Sequence, residues 1–210
     1  MKSPIVVLAL LAAPALAQEE PGYTAASRKD AERAMADFAR CEVNSTAGRA
    51  AALAFGREVA GTPSTYAQRL IKSSCAPRGT QMRFRPELFR MALFPALYTR
   101  EYSKSAPADL SAAPASDYAR EFDGTPGAET LTLRTFGDCV VRRDSANSRA
   151  VVLSKLYKPE EATAFTALQP AMAGCVPQGQ QLRFSRTVLR GAVGEALYKL
   201  TVATGAAKAA

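Results

Sequence analysis

The stretch Gly79–Tyr98, GTQMRFRPELFRMALFPALY, returns one hundred positions later as Gly179–Tyr198, GQQLRFSRTVLRGAVGEALY. From Cys75 and Cys175 onward, eleven of 29 aligned positions are identical without a gap. Self-similarity at a fixed spacing is the signature of internal repetition. The sequence therefore predicts two tandem copies of one domain-sized unit.

The four cysteines follow the same duplication. The first copy holds Cys41 and Cys75, 34 positions apart, and the second holds Cys139 and Cys175, 36 positions apart. Four cysteines allow three pairings, and the repeat favours one disulfide within each copy, each contributing roughly 4 kcal/mol in the chain-entropy model. A four-cysteine metal site remains an alternative in principle, although such ligands usually come as closely spaced pairs. We expect no metal and no cofactor.

Each copy has the pattern of about four short helices. We expect these helices to begin near Ser27, Arg49, Pro63 and Pro86 in the first copy, and near Leu131, Ser148, Pro159 and Ser185 in the second. The segment 131–141 is ambiguous, because its threonines favour a strand while its apolar spacing fits a helix. The predicted fold is mainly α: two tandem disulfide-stapled small helical bundles, each with a short extended segment before its last helix.

The chain divides into six segments on composition. They are a signal peptide (1–17), a flexible N-terminus (18–26), repeat 1 (27–103), an Ala/Pro/Ser-rich linker (104–125), repeat 2 (126–203) and a disordered tail (204–210).

The first seventeen residues, MKSPIVVLALLAAPALA, have the features of a secretory signal. Lys2 precedes a short apolar run, and Ala15-Leu16-Ala17 forms a small-x-small cleavage site. The alternative is a membrane anchor, but the run is shorter than the roughly 20 residues that a bilayer requires. We expect cleavage after Ala17, a periplasmic or secreted protein, and no transmembrane segment in the mature chain.

The composition excludes several functional classes. The chain carries a formal net charge of +8 and contains no histidine. Without imidazole there is no Ser-His-Asp or Cys-His catalytic unit and no histidine metal ligand. A basic surface favours anionic partners, so we expect anionic envelope components or an acidic protein. Nucleic acid is not expected as the partner of an exported protein.

The repeated arginines are the candidate functional residues. Arg83 and Arg90 recur as Arg183 and Arg190, and on each last helix an arginine shares a face with a tyrosine two turns away, Tyr98 or Tyr198. No acidic residue recurs at a matching position. These arginines either bind backbone carbonyls within the fold or bind an external anion, and we name all six residues as a possible ligand-binding set.

The duplicated pattern F-x-x-C … C-x-P-x-G-x-x-[LM]-R-F … LR-x-A-x-x-x-A-L-Y resembles exported bacterial proteins of uncharacterised function. Copy one departs from it at Phe89, where the pattern has Leu. The resemblance covers most of the chain, implies a tandem Cys-containing helical domain, and implies no activity or ligand. We therefore expect a non-enzymatic interaction or envelope-associated protein. The alternatives are an anion binder that uses the repeated arginines and a hydrolase that uses carboxylates of one copy, such as Glu195.

Overall fold

The structure, a computed structural model, describes residues 25–59, 75, 86–105, 109–179 and 183–205. These residues form seven helices and no strand. The helices are α1 (Ala25–Glu42), α2 (Thr46–Phe55), α3 (Pro86–Tyr102), α4 (Ala128–Arg143), α5 (Ser145–Leu153), α6 (Pro159–Ala173) and α7 (Arg186–Ala203). Within the described part of the chain, no helix is both long enough and apolar enough to span a bilayer.

The predicted helical fold with one disulfide in each repeat is confirmed. Cys41 is bonded to Cys75 and Cys139 to Cys175, with Cα–Cα distances of 5.7 and 5.9 Å. Each bond ties the turn before the last helix of its repeat to the first helix of that repeat. In both repeats the first and second helices also pack against the last one.

A side-chain cap begins three of the seven described helices. Ser45 accepts a hydrogen bond from the Gly48 N–H and begins α2, and Asp144 does the same for α5 through the Asn147 N–H. Both helices therefore begin three residues before the predicted starts. Ser185 caps α7, as predicted. The first helix, α1, begins at Ala25, two residues before the expected start near Ser27.

The ambiguous segment at the start of the second copy is a helix. Within α4 the buried residues Phe136, Gly137, Val140 and Val141 recur at helical spacing. The hydroxyl of Thr132 donates to the carbonyl of Ala128 four residues back, which accommodates a threonine within a helix. Burial of one face thus outweighs the weak β-preference of the threonines.

Several predictions concern residues that the structure does not describe. The signal peptide (1–17), the third helix of repeat 1 from Pro63 onward, the extended piece Met82–Phe84 and most of the tail lie outside the described residues. In repeat 2 the equivalent third helix is present as α6.

The last helices of the two repeats, α3 and α7, form the most extensive helix–helix contact of the molecule. A Cβ atom built on Gly191 would overlap Met91, and one built on Gly194 would lie 2.6 Å from Cγ of Pro95. Any larger side chain would hold the helices apart, so glycine is required for this approach. Met91 and Gly191 are equivalent positions of the two copies. An approximate two-fold axis therefore passes near this pair.

Polar and aromatic contacts beside this crossing join the two copies. The Tyr198 hydroxyl donates to Oε2 of Glu101 at 3.1 Å. Its equivalent Tyr98 is also buried, and Thr201 occupies the position equivalent to Glu101. The Phe94 ring lies 5.9 Å from the Tyr198 ring. Tyr198 of the second copy thus contacts both Glu101 and Phe94 of the first copy. The two repeats share one hydrophobic core.

The described part of the linker lies against this body. Leu110 and Ala113 are buried. The guanidinium group of Arg142 on α4 donates to the carbonyls of Ala113 and Pro114 at 2.6 and 2.9 Å. The linker is therefore attached to repeat 2 through its backbone as well as through its side chains.

We expect the Gly191→Ala variant to lose about 1–3 kcal/mol of the free energy of unfolding, because its Cβ would occupy the space of Met91. Urea denaturation with both disulfides intact measures this change. Gly127→Ala is the control, since Gly127 precedes α4 in extended backbone and has no atom within 4 Å of the added Cβ. Equal stability of the two variants would contradict the close helix crossing.

Candidate functional site

The guanidinium group of Arg190 closes the C-terminal end of α5. It donates to the carbonyls of Val151, Val152 and Ser154 at 2.6–2.7 Å, and to Oε1 of Glu161 at 3.1 Å. The last carbonyls of a helix have no partner within the helix, and a cation near them also opposes the negative end of the helix dipole. Arg190 therefore supplies partners that the end of α5 would otherwise lack.

The equivalent arginine performs the same task in repeat 1. Arg90 donates to the carbonyl of Phe55, the last residue of α2, at 3.1 Å, and also to the carbonyl of Glu58. Burial lowers the pKa of both Arg90 and Arg190 below the usual arginine value. Glu161 opposes this for Arg190, whereas Arg90 has no carboxylate hydrogen bond among the described residues.

The six predicted ligand-binding residues occupy different environments. Arg90, Tyr98 and Tyr198 are buried within the body, Arg183 is exposed, and Arg83 lies outside the described residues. Arg190 is 9% exposed and lines a cleft. On the face that carries Arg90 and Tyr98, Arg90 lies against the end of α2 and Phe122, and Phe94 lies against Tyr198 of α7. The structure therefore does not gather the six residues into one site.

The two repeats create two related clefts, and the linker occupies one of them. This linker cleft is bordered by Arg90, Arg134 and Asp138. Phe122 lies 5.4 Å from the Arg90 guanidinium and 3.9 Å from that of Arg134, measured to the ring centroid. The Tyr118 hydroxyl donates to Asp138 at 2.6 Å. Burial and the neighbouring carboxylate raise the pKa of Tyr118 far above its ordinary value, so the phenol remains a donor.

Charged groups complete the contact between the linker and its cleft. The Glu121 carboxylate pairs with Lys199 and lies 3.7 Å from Arg134. The Asp123 N–H donates to the carbonyl of Arg57 at 2.9 Å. An aromatic and acidic segment is therefore bound by cations and by one backbone carbonyl.

The second cleft, which we call the open cleft, lies between α1, α3 and the chain between α5 and α6. Its volume is about 450 Å³. The charged and polar side chains at its mouth include Arg33, Asp37, Arg40, Thr99, Lys155 and Arg190. Four of these six are cations. No segment among the described residues fills this cleft in the way that the linker fills the other.

A smaller cavity of about 40 Å³ shares Arg40, Thr99, Val152, Leu156 and Arg190 with the open cleft. Its lining is mostly apolar, with Met91, Ala92 and Pro95, but it also includes the Glu32 carboxylate, which accepts hydrogen bonds from Tyr157 and Thr187. Beyond the mouth, the Tyr157 ring lies under the Arg33 guanidinium at 5.4 Å. The cleft thus offers cations at its entrance and apolar surface below them, a combination suited to a ligand with both anionic and apolar parts.

The open cleft and the linker cleft are related by the repeat. The equivalents in the linker cleft are Asp138 for Arg40, Lys199 for Thr99 and Arg90 for Arg190. Sequence reasoning missed Arg33, Arg40 and Lys155 because it looked for residues that recur in both copies. The informative signal was a pair of equivalent positions, such as 40 and 138, at which the two copies carry opposite charges.

Comparison with known proteins adds no assignment. No protein-family model, curated protein or solved structure matches the chain. Among the described residues, no three acidic, cysteine or histidine side chains converge as a metal site would require. The site is therefore argued from its geometry and charge alone.

We expect Arg190→Ala to lower the free energy of unfolding by about 3 kcal/mol, because it leaves Glu161 and three helix-end carbonyls without their buried partner. Chemical denaturation measures this loss. Arg183→Ala, at an exposed arginine on the same segment, should change stability by less than about 0.5 kcal/mol. A loss of similar size in both variants would contradict the capping role.

Glu161 provides a prediction of pH dependence. Burial raises its pKa above the ordinary glutamate value, although Arg190 opposes the shift. A raised pKa means that the contribution of this carboxyl to stability is fully present below its unfolded pKa. That contribution falls as the pH rises through the folded pKa. We therefore expect the free energy of unfolding of the native protein, relative to that of the Glu161→Gln variant, to decrease as the pH rises from 4 to 7.

Urea denaturation at a series of pH values measures this difference. Glu160→Gln, the same substitution at an exposed neighbour, is the control. If the difference in the free energy of unfolding between the native protein and Glu161→Gln stays level or increases with pH, the pKa of the buried carboxyl is not raised.

Proposed function

We propose that this protein is a non-enzymatic interaction protein that acts outside the cytoplasm and binds an anionic partner in the open cleft. The observation that carries the proposal is the cationic mouth of a cleft that the described residues leave unfilled. The linker cleft, which is formed by the equivalent elements of the opposite repeats, holds an acidic and aromatic segment of the same chain.

The extracytoplasmic location rests on two features. Two disulfides staple the fold, and such bonds persist in oxidising compartments and are rare in the cytosol. The N-terminal sequence has the pattern of a cleaved signal, with Ala17 as the last residue removed. Export to the periplasm or the exterior is therefore part of the proposal.

The charges at the mouth are accessible to a ligand. Arg33 and Arg40 pair with Asp30 and Asp37 on their own helix, and these pairs are largely exposed. Exposed pairs of this kind contribute little free energy, because water and salt screen them. A ligand carboxylate, sulfate or phosphate can therefore compete for these cations. Lys155 adds a further exposed charge at the opposite wall.

The other functions considered find less support. An anion site formed by Arg90 would require a buried guanidinium to leave its helix-end carbonyls. A hydrolase acting through Glu195 would require a carboxyl that is 2% exposed and bound by Arg134 at 2.5 Å and Lys199 at 2.7 Å. A general acid or base has to reach the proton that it transfers. The surroundings of Glu195 are those of a structural ion pair.

The proposal is tested by titrating the isotope-labelled, disulfide-intact protein with three anionic probes and following its amide and side-chain resonances. The probes are inorganic phosphate, a sulfated polysaccharide and an acidic peptide. We expect at least one probe to shift the resonances of Arg33, Arg40 and Lys155 at low salt. The shifts should weaken at moderate salt because exposed charges are screened.

A matched pair of double variants completes the test. Arg40→Ala/Lys155→Ala should abolish the shifts, whereas Arg120→Ala/Lys104→Ala, which removes the same charge at exposed positions outside the cleft, should retain them. If no probe shifts these resonances, or if both double variants lose binding equally, the cleft is not a specific anion site.

A further inference from the structure

The structure shows how this fold binds one peptide, and that peptide is its own linker. In the linker cleft, Tyr118 contacts Asp138 and Lys199, and Glu121 pairs with Lys199. The segment is DYAREFD, Asp117–Asp123. An aromatic ring lies over two guanidinium groups and a carboxylate pairs with a lysine.

The open cleft is built from the equivalent elements around the two-fold axis, but its charges differ. Lys199 is replaced by Thr99, and Arg134, the cation nearest Phe122, is replaced by Ala36. Three linker-contacting residues, Asp138, Lys199 and Arg90, have their equivalents in Arg40, Thr99 and Arg190, and all three equivalents line the open cleft. The walls come from the same elements of the opposite repeats. The linker segment that occupies one side of the axis forms a turn, in which the Arg120 N–H donates to the carbonyl of Asp117. A site for a short segment of this kind is therefore present on the other side.

We propose that the open cleft binds, from another protein, a short acidic segment with one aromatic side chain, folded in a turn as the linker is in its own cleft. This inference rests on the function proposed above and narrows the anionic partner to a peptide. The segment is not a copy of the linker, because the charges that line the two clefts differ.

The charge difference specifies the ligand. Where the linker cleft has Asp138, which accepts the Tyr118 hydroxyl, the open cleft has Arg40. A cation at this place prefers a carboxylate to a phenol donor. The phenylalanine of the bound peptide would lie over the outer face of the Arg190 guanidinium, as Phe122 lies near the Arg90 guanidinium in the linker cleft. The matching peptide is therefore DEAREFD, the linker sequence with the tyrosine replaced by glutamate.

Binding of this peptide to the linker cleft is disfavoured by the linker itself. Because the linker is tethered, its effective concentration at its own cleft is in the millimolar range, and a free peptide displaces it only at comparable concentrations. The added peptide therefore reports on the open cleft. Lys155 and Arg33 supply cations for its terminal aspartates.

The test measures the fluorescence anisotropy of labelled DEAREFD with the full disulfide-intact protein. We expect it to bind more tightly than DYAREFD. Replacing its phenylalanine with alanine should weaken binding by about tenfold, because the ring contact is lost. Replacing its acidic residues with amides should weaken binding by at least about tenfold as well.

The decisive variant is Arg40→Asp, which gives the open cleft the residue of the linker cleft at that position. It should reverse the preference, so that DYAREFD binds more tightly than DEAREFD. Arg40→Lys should keep the original order. Arg40 is exposed, so neither change is expected to disturb folding, and near-ultraviolet circular dichroism checks this.

The outcomes separate this inference from the proposed function. If phosphate or the sulfated polysaccharide shifts the cleft resonances while the peptides do not bind, the cleft is an anion site and the peptide inference is wrong. If the polysaccharide displaces DEAREFD and binds more tightly, the ligand is a polysaccharide and the inference is again wrong. If no probe binds, both fail. If the peptides bind but the Arg40→Asp variant still prefers DEAREFD to DYAREFD, the inference is also wrong.

Discussion

The close crossing of α3 and α7 is the contact on which the rest of the structure depends. Gly191 and Gly194 bring the α7 backbone onto Met91 and Pro95, and no other helix contact in the described structure is as extensive. Because equivalent residues meet at the crossing, the copies are arranged about an approximate two-fold axis. That arrangement buries the tyrosines of both last helices and produces two related clefts, one on each side.

The symmetry is broken by what occupies the clefts. The linker joins the end of repeat 1 to the start of repeat 2, and on its way it places Tyr118 and Phe122 in one cleft. The other cleft has cations at its mouth and adjoins a mostly apolar cavity. One of the two related clefts therefore holds the chain's own linker, whereas no described segment fills the other. Arg90 and Arg190 recur because each binds the carbonyls at a helix end in its own repeat, and the residues that line the two clefts differ.

The sequence predicted the parts of the fold that lie within one copy. The disulfides followed from two aligned cysteine pairs, and the helix starts at Pro86, Pro159 and Ser185 from their local sequence. It did not predict burial of the Arg90–Tyr98 face, because two of the residues that cover it, Phe122 and Tyr198, come from the linker and from the other copy. It also did not find the cleft, since Arg33, Arg40 and Lys155 come from separate segments. Only the fold places them together.

The central claim is that the two repeats form one body around the α3–α7 crossing, with the linker seated in one cleft. The most direct measurement is a side-chain nuclear Overhauser spectrum of the disulfide-intact protein. The account predicts cross-peaks between Phe94 and Tyr198 across the repeats, and between Phe122 and the side chain of Arg134 in the linker cleft. Their absence, with the two repeats tumbling independently, would contradict it.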